Sequence, residues 1–323
     1  MKAVVTGAAG HIGTYLIPML VDAGYEVTTI TRSEPKPYEW VPAWNRVNKV
    51  FMDRSAEPDF ADKIAGMEPD IVVDLINFRL EDTKAMAQAL KNTRCSHYLF
   101  CSSCWAHGIS EVLPLNPDDL KKQPFDEYGK NKFASELYLK DLYRREGFPA
   151  TIIMPGQISG PGWNITGPWA NIRYEPFQMA ANGEEIKLPN FGMETIHHVH
   201  GYDVAQVFFQ AITHRNQALG ESFDAQSGGA ITLYGYAKLL FEFFGKEPKI
   251  SFMPWEEWKK YVLDLTGDEQ QVQESYYHML RSGGAYNISK EEKLLDYHPK
   301  YTNVDCIKLA VQSYVDRNII KVD

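Results

Sequence analysis

The chain has 323 residues, 44% hydrophobic and 23% charged, a balance that suits one large α/β domain carrying a smaller lobe. Its 33 basic and 42 acidic residues leave a formal charge of −9, and with no basic stripe to offset it a nucleic-acid partner is disfavoured. No apolar run approaches the roughly 20 residues of a membrane span, and the first residues read as a core strand rather than a signal peptide, so a cytoplasmic protein is expected.

Residues 3–6 form a short β-rich run, and Gly7-Ala8-Ala9-Gly10-His11-Ile12-Gly13 follows at once. Apolar residues then recur at helical spacing from 14 to 23. A strand, a tight glycine turn and a helix N-terminus in that order make a pyrophosphate cradle. Gly7 permits the turn, Gly10 lets the backbone approach the phosphates, and Gly13 lets helix and strand pack closely. Further strands are predicted at 26–31, 49–52, 71–75, 97–101 and 150–154, with helices at 16–22, 82–91 and 128–145. This alternation predicts a doubly wound parallel sheet, the Rossmann arrangement, over residues 1–155.

An Asp or Glu closing the second strand would bond the adenosine ribose and select NAD. Thr31-Arg32 stands there instead, and Arg32 suits the 2′-phosphate of NADP, so NADP is favoured over NAD. The four cysteines, Cys95, Cys101, Cys104 and Cys306, lack a secreted-type spacing and read as reduced core thiols. Tyr128 and Lys132 stand four apart on a predicted helix, hence on one face, so the ammonium can lower the phenol's pKa and hold ribose hydroxyls. Ser103, at a neighbouring strand end, would donate a hydrogen bond to a substrate carbonyl. All three should converge at the carboxyl end of the sheet.

After Pro155 the texture changes. Gly, Pro and Trp cluster over 156–169, a long loop, and helical patterns follow at 175–182, 204–213, 233–244 and 255–265. Residues 156–323 read as mostly a smaller substrate-binding lobe, with some strands and helices returning to the sheet. Trp105, Trp163 and Trp169 fall in or beside the predicted cleft loops, where aromatics suit a sugar face or a planar ring. His197, His198 and His200 are weighed as metal ligands and set aside. Only His198 and His200 share a strand face, and no third ligand is evident.

Taken together, Thr6 to Gly13, Ser102-Ser103-Cys104-Trp105-Ala106-His107-Gly108, Tyr128-Gly129-Lys130-Asn131-Lys132 and Gly160-Pro161-Gly162 resemble an extended short-chain dehydrogenase/reductase of the NAD(P)-dependent epimerase/dehydratase group. His200-Gly201-Tyr202-Asp203-Val204-Ala205 is similar to a strand-to-helix segment of that family. The resemblance implies Ser103 as carbonyl polariser, Tyr128 as acid/base, and Lys132 as tyrosine activator and ribose ligand. It implies Gly7, Gly10, His11, Ile12, Gly13, Asp53 and Pro155 on the cofactor, Asp53 at the adenine, and Trp105, Gln157 and Trp163 toward the substrate. Helices 82–91 and 128–145 would pair across a two-fold axis in a homodimer.

Departures narrow the expectation. Cys104 and Trp105 replace the Asp-Glu pair that moves protons in the family's dehydratases, so dehydration is not expected. Met154-Pro155-Gly156-Gln157 replaces the Arg-Pro-x-Asn of nucleotide-sugar binders, which leaves Arg173, Arg215 or Arg281 to meet a diphosphate. The expected function is an NAD(P)-dependent oxidoreductase or epimerase acting on a sugar or sugar-like small molecule. An NADPH-dependent carbonyl reductase of a non-sugar, possibly aromatic, substrate is one alternative. A non-catalytic dinucleotide-binding sensor or scaffold is another.

Overall fold

The structure is a computed structural model, and it describes residues 1–281 and 287–322. The first half alternates strand and helix: β1 (Lys2–Thr6), α1 (His11–Asp22), β2 (Glu26–Thr31), β3 (Asn48–Phe51), α2 (Phe60–Gly66), β4 (Ile71–Asp74), α3 (Leu80–Leu90), β5 (His97–Cys101), α4 (Glu127–Glu146) and β6 (Ala150–Pro155). The second half holds short strands and more helix: β7 (Ile158–Ser159), α5 (Glu175–Asn182), β8 (Ile186–Pro189), β9 (Thr195–Ile196), β10 (Val199–His200), α6 (Gly201–Thr213), α7 (Arg215–Ala218) and β11 (Ser222–Ala225). There follow β12 (Ile231–Thr232), α8 (Leu233–Phe243), β13 (Ile250–Met253), α9 (Trp255–Thr266), α10 (Glu269–Arg281), α11 (Ser289–Leu295) and α12 (Asn303–Asp316).

Seven strands make one parallel sheet in the order β11-β6-β5-β4-β1-β2-β3. β4, β5 and β6 are buried at every position, as strands covered on both faces must be. The order reverses between β1 and β4, so the sheet is doubly wound and opens a crevice there at the strands' carboxyl ends. One apolar layer packs α1 and α6 on the sheet, and the opposite layer packs α2, α3 and α4.

Helix limits follow local chemistry. α1 starts five residues ahead of the predicted helix because Gly10 takes the extended N-cap position, and Pro18 is carried inside it. α4 opens on Asp126, whose carboxylate accepts the Gly129 N–H at 2.7 Å, and closes at Gly147 with φ +69°.

The second half divides between two cores. Val204, Phe208, Phe223, Leu295 and Tyr297 pack into the layer over α1, while Phe177, Leu188, Tyr236, Trp258 and Tyr314 build a separate lobe core. Trp169, expected at the cleft, is fully buried in that lobe core, where its Nε1 and that of Trp258 both donate to the Lys187 carbonyl. Among the described residues no helix is long and apolar enough to cross a membrane.

Candidate active site

The β1–α1 turn is built as a cradle. Gly7 lies at φ +69°, and a Cβ there would come within 2.4 Å of Ile76. A Cβ on Gly13 would sit 1.9 Å from the Ala8 carbonyl oxygen, so only glycine lets helix and turn close together. No side chain caps α1, which leaves the first-turn amides, those of His11 and Ile12 among them, for an anion. In front of this terminus lies a groove of about 820 Å³, lined by Gly7, Gly10, Arg32, Asp53, Arg54 and Phe78 among others. Turn, uncapped helix and groove together fit a dinucleotide.

Arg32 is exposed on the groove wall and forms no ion pair among the described residues. Asp53 accepts from the Ser55 N–H and hydroxyl at 3.0 and 2.7 Å, and these bonds, aided by Arg32, hold its carboxyl below the usual range. Beneath them Asp74 is fully buried and accepts from Thr6, Tyr98, Asn77 and Arg54. Burial alone would raise this carboxyl, but Arg54 and the neutral donors bring it below its ordinary value. Arg54 and Asn77 carried no sequence signal beyond their place near strand ends.

The groove floor at Phe78 leads to Tyr128, whose ring centroid is 6.2 Å away. Ser103 follows β5 in extended backbone, and its Oγ accepts the Trp105 N–H at 3.2 Å. Ser102 turns the other way and donates to the buried Glu136, so Ser103 is the serine of the pair that meets the phenol. Tyr128 as a whole residue is 38% exposed, yet its hydroxyl end is enclosed by protein. That burial raises the phenol above its ordinary 10.0, with the Cys101 and Cys104 thiols adding to the rise and the Ser103 hydroxyl opposing it.

Lys132 departs from expectation. It was expected to pull the Tyr128 pKa down, but the phenol is raised. The Lys132 Nζ is buried and donates to the backbone carbonyls of Asn77 (2.7 Å) and Cys101 (2.6 Å), 5.4 Å from the Tyr128 ring centroid. Burial lowers its own pKa. Two of the three N–H donors of an ammonium are thereby used, leaving one for a ligand.

The remaining sequence candidates scatter. Pro155 ends β6 and pairs in register with Ala225. Trp163 is not brought to Ser103. It stacks on His11 at 4.9 Å, and Tyr38 meets both rings edge-on, over the start of α1. Burial, then the neighbouring His200, lowers His11 to about 3, so its imidazole is neutral. Trp105 does lie at the site, edge-on to Tyr277 and His278, and the Gln157 amide is 3.4 Å from His278. Of the three arginines considered, Arg173 pairs with Glu175 and Asp268, and Arg215 bonds the Ser96 carbonyl at the far end of β5. Arg281 alone of the three reaches the site, donating to Cys104 Sγ. His197 accepts from Ser227, His200 caps α6, and His198 packs edge-on against Tyr236. Among the described residues no three His, Cys, Asp or Glu side chains are grouped to hold a metal ion.

The chain is 25% identical over 262 residues to the chloroplast stem-loop binding protein of 41 kDa b of Arabidopsis thaliana, covering 77% of this chain and 65% of that one. It is 27% identical over 177 residues to the UDP-glucose 4-epimerase of Corynebacterium glutamicum, covering 51% of this chain and 54% of the relative. The match thus spans between about half and two thirds of these relatives' own length. Among solved structures, the UDP-glucuronic acid 4-epimerase of Bacillus cereus superposes with a TM-score of 0.73 at 17% identity, covering 98% of this chain and 100% of that one. The UDP-glucose 4-epimerase of Thermotoga maritima gives 0.70 at 19% identity, again covering 98% and 100%. Both share the Rossmann fold described above. Residues 3–225 match the sequence model of the NAD dependent epimerase/dehydratase family, and the chain belongs to that family.

Proposed function

We propose that the protein is a nicotinamide-dependent oxidoreductase of the extended short-chain type, acting on a carbinol or carbonyl carbon of a sugar-like substrate. The observation that carries this reading is the gathering of the Ser103 hydroxyl, the Tyr128 phenol and the Lys132 ammonium beside the groove that begins at the glycine turn. When bound, the dinucleotide supplies or accepts a hydride; Gly7, Gly10, Gly13 and the α1 amides would hold its pyrophosphate, and Asp53 its adenosine end.

The chain's own part is proton and position. A phenol raised by burial is protonated at neutral pH, so Tyr128 rests as a donor that gives its Oη proton to a substrate oxygen. Ser103 Oγ donates a hydrogen bond to that same oxygen as negative charge develops on it. Lys132, clamped to the Asn77 and Cys101 carbonyls, offers its remaining N–H at a fixed place. A resting proton donor favours the reductive direction, and the exposed Arg32, with no acidic residue closing β2, favours NADP over NAD. Cys104 and Trp105, which cannot exchange the protons of water loss, argue against dehydration.

The Arabidopsis relative is named for stem-loop binding, which favours a second reading of this chain as a binding scaffold rather than an enzyme. The presence of both Tyr128 and Lys132 and the charge of −9 weigh against it. The test is the nucleotide in the purified protein together with nicotinamide absorbance across a panel of sugars and carbonyl compounds. A retained oxidised nucleotide with interconversion of sugar epimers marks an epimerase. An exchangeable site that consumes NADPH marks a reductase. Silence across the whole panel would overturn the enzymatic reading in favour of the scaffold.

A further inference from the structure

The connection from β5 to α4 starts at Ser102-Ser103 and ends just before Tyr128, and near its far end it turns a lysine into the protein. The Lys122 side chain is 1% exposed. Its Nζ donates to Glu136 Oε2 on α4 at 2.6 Å and lies 3.2 Å from Met154 Sδ on β6. The other carboxylate oxygen, Glu136 Oε1, accepts from the Ser102 hydroxyl. Both oxygens of one buried carboxylate are thus taken by the two ends of a single connection.

A carboxylate so enclosed stays ionised only if its charge is matched and its oxygens are bonded. Lys122 supplies the charge, and Glu136 can then hold Ser102. That serine is gripped from two sides, because its N–H also donates to the Ile153 carbonyl on β6 at 2.7 Å. Ser103 is the next residue along. Lys132 stands one turn before Glu136 on α4 and Tyr128 about two turns before it. Glu136 therefore fixes the strand end that bears the serine against the helix that bears the phenol.

Met154 stands where the resemblance sets the arginine of Arg-Pro-x-Asn. Its side chain is buried in the layer under α4, against the Lys122 amine. A cation at position 154 would face Glu136, and in this chain the cation reaches that carboxylate from the connection instead. We propose that Lys122 is a positioning residue: as the buried counter-charge of Glu136 it locks Ser103 and Tyr128 in register, and it does from a loop what an arginine on β6 could do. This assignment rests on the roles proposed above for Ser103 and Tyr128.

The test uses K122M, K122M/M154R, S102A and K140M. Lys140 ties the same connection to α4 at the surface, through Asp118 at 2.6 Å, and so serves as the control. Reduction of D-glyceraldehyde and of phenanthrenequinone by NADPH and epimerisation of UDP-glucose are the probe reactions, with NADP⁺ affinity and thermal melting measured beside them. K122M should lose kcat on the order of 10²-fold, with KM and NADP⁺ affinity within about twofold of the wild type. Adding M154R should bring kcat back to within about tenfold of the wild type and raise the melting temperature above that of K122M. S102A keeps the ion pair, removes only the tie, and should lose kcat about tenfold, which carries the test even if K122M does not fold. K140M should stay within about twofold. Wild-type kcat in S102A, a folded double variant as slow as K122M, or an equal loss in K140M would each overturn the positioning role and leave the Tyr128 reading standing. A wild type silent on all three probes would overturn the enzymatic reading and the positioning role with it.

Discussion

Two buried carboxyls make the fold sensitive to alkali. Asp224 on β11 gives its backbone N–H to Glu291 Oε1 on α11 at 2.7 Å, and both side chains are excluded from solvent. Both Asp224 carboxyl oxygens and Glu291 Oε2 have no hydrogen-bond partner among the described residues. His107 approaches Asp224 at 3.8 Å, Lys122 and Glu136 face it from the α4 side, and Lys290 and Asp118 lie toward the surface. Burial raises Asp224 from 3.8 to about 7, and burial with the Asp224 charge raises Glu291 from 4.5 to about 8. Each folded value lies above the unfolded one. The stability that protonation confers is therefore complete below about pH 4 and is lost as pH rises through 7 to 8. At about 1.4 kcal/mol per pH unit, holding one such proton is worth on the order of 4 kcal/mol. Urea unfolding between about pH 6 and 9 should show a fall of that order in the wild type. Glu291→Gln, which keeps the acceptor for the Asp224 N–H, should flatten the fall, and adding Asp224→Asn should flatten it further. Parallel pH profiles for the wild type and both variants would refute the reasoning.

Gly13→Ala should cost about 3 kcal/mol or more, because its Cβ would strike the Ala8 backbone, whereas Gly24→Ala, which meets nothing within 4 Å, should cost about 1 kcal/mol for its positive φ alone. Thermal melting of the two variants checks the contrast, and equal losses would contradict it. Arg32→Ala should weaken NADPH about tenfold more than NADH, the worth of a charged hydrogen bond, in a fluorescence titration of both cofactors. Equal weakening would remove Arg32 from the 2′-phosphate. Lys132→Met leaves the Asn77 and Cys101 carbonyls without their donor and should destabilise the fold by about 2 kcal/mol in urea as well as impair turnover. Intact stability would mean those bonds carry no load.

The parallel sheet was legible because its strands are short apolar runs broken by helical spacing, and the glycine turn because its geometry admits few other residues. α10 was not. Its buried face is Val272, Ser275, His278 and Arg281, three polar residues in four, so hydropathy at helical spacing could not reveal it. With it was lost His278, and Arg281, named from the sequence among three arginines, could not be placed; both reach the site from far along the chain. The pairing of Tyr128 with Lys132 was read from spacing, but its electrostatics were not, because the partners of Lys132 are backbone carbonyls on β4 and β5 connections that only the fold brings near. Trp163 and Trp169 sit in one loop of similar composition. One ring covers His11 and the other fills the lobe core, and spacing alone carries no information to separate them.

The most direct measurement is Tyr128→Phe, assayed in parallel for hydride transfer and for dinucleotide binding. The acid/base role of Tyr128 predicts turnover lower by ~10²-fold or more with cofactor affinity unchanged, since only the proton-bearing oxygen is removed. Turnover close to the wild type would contradict it.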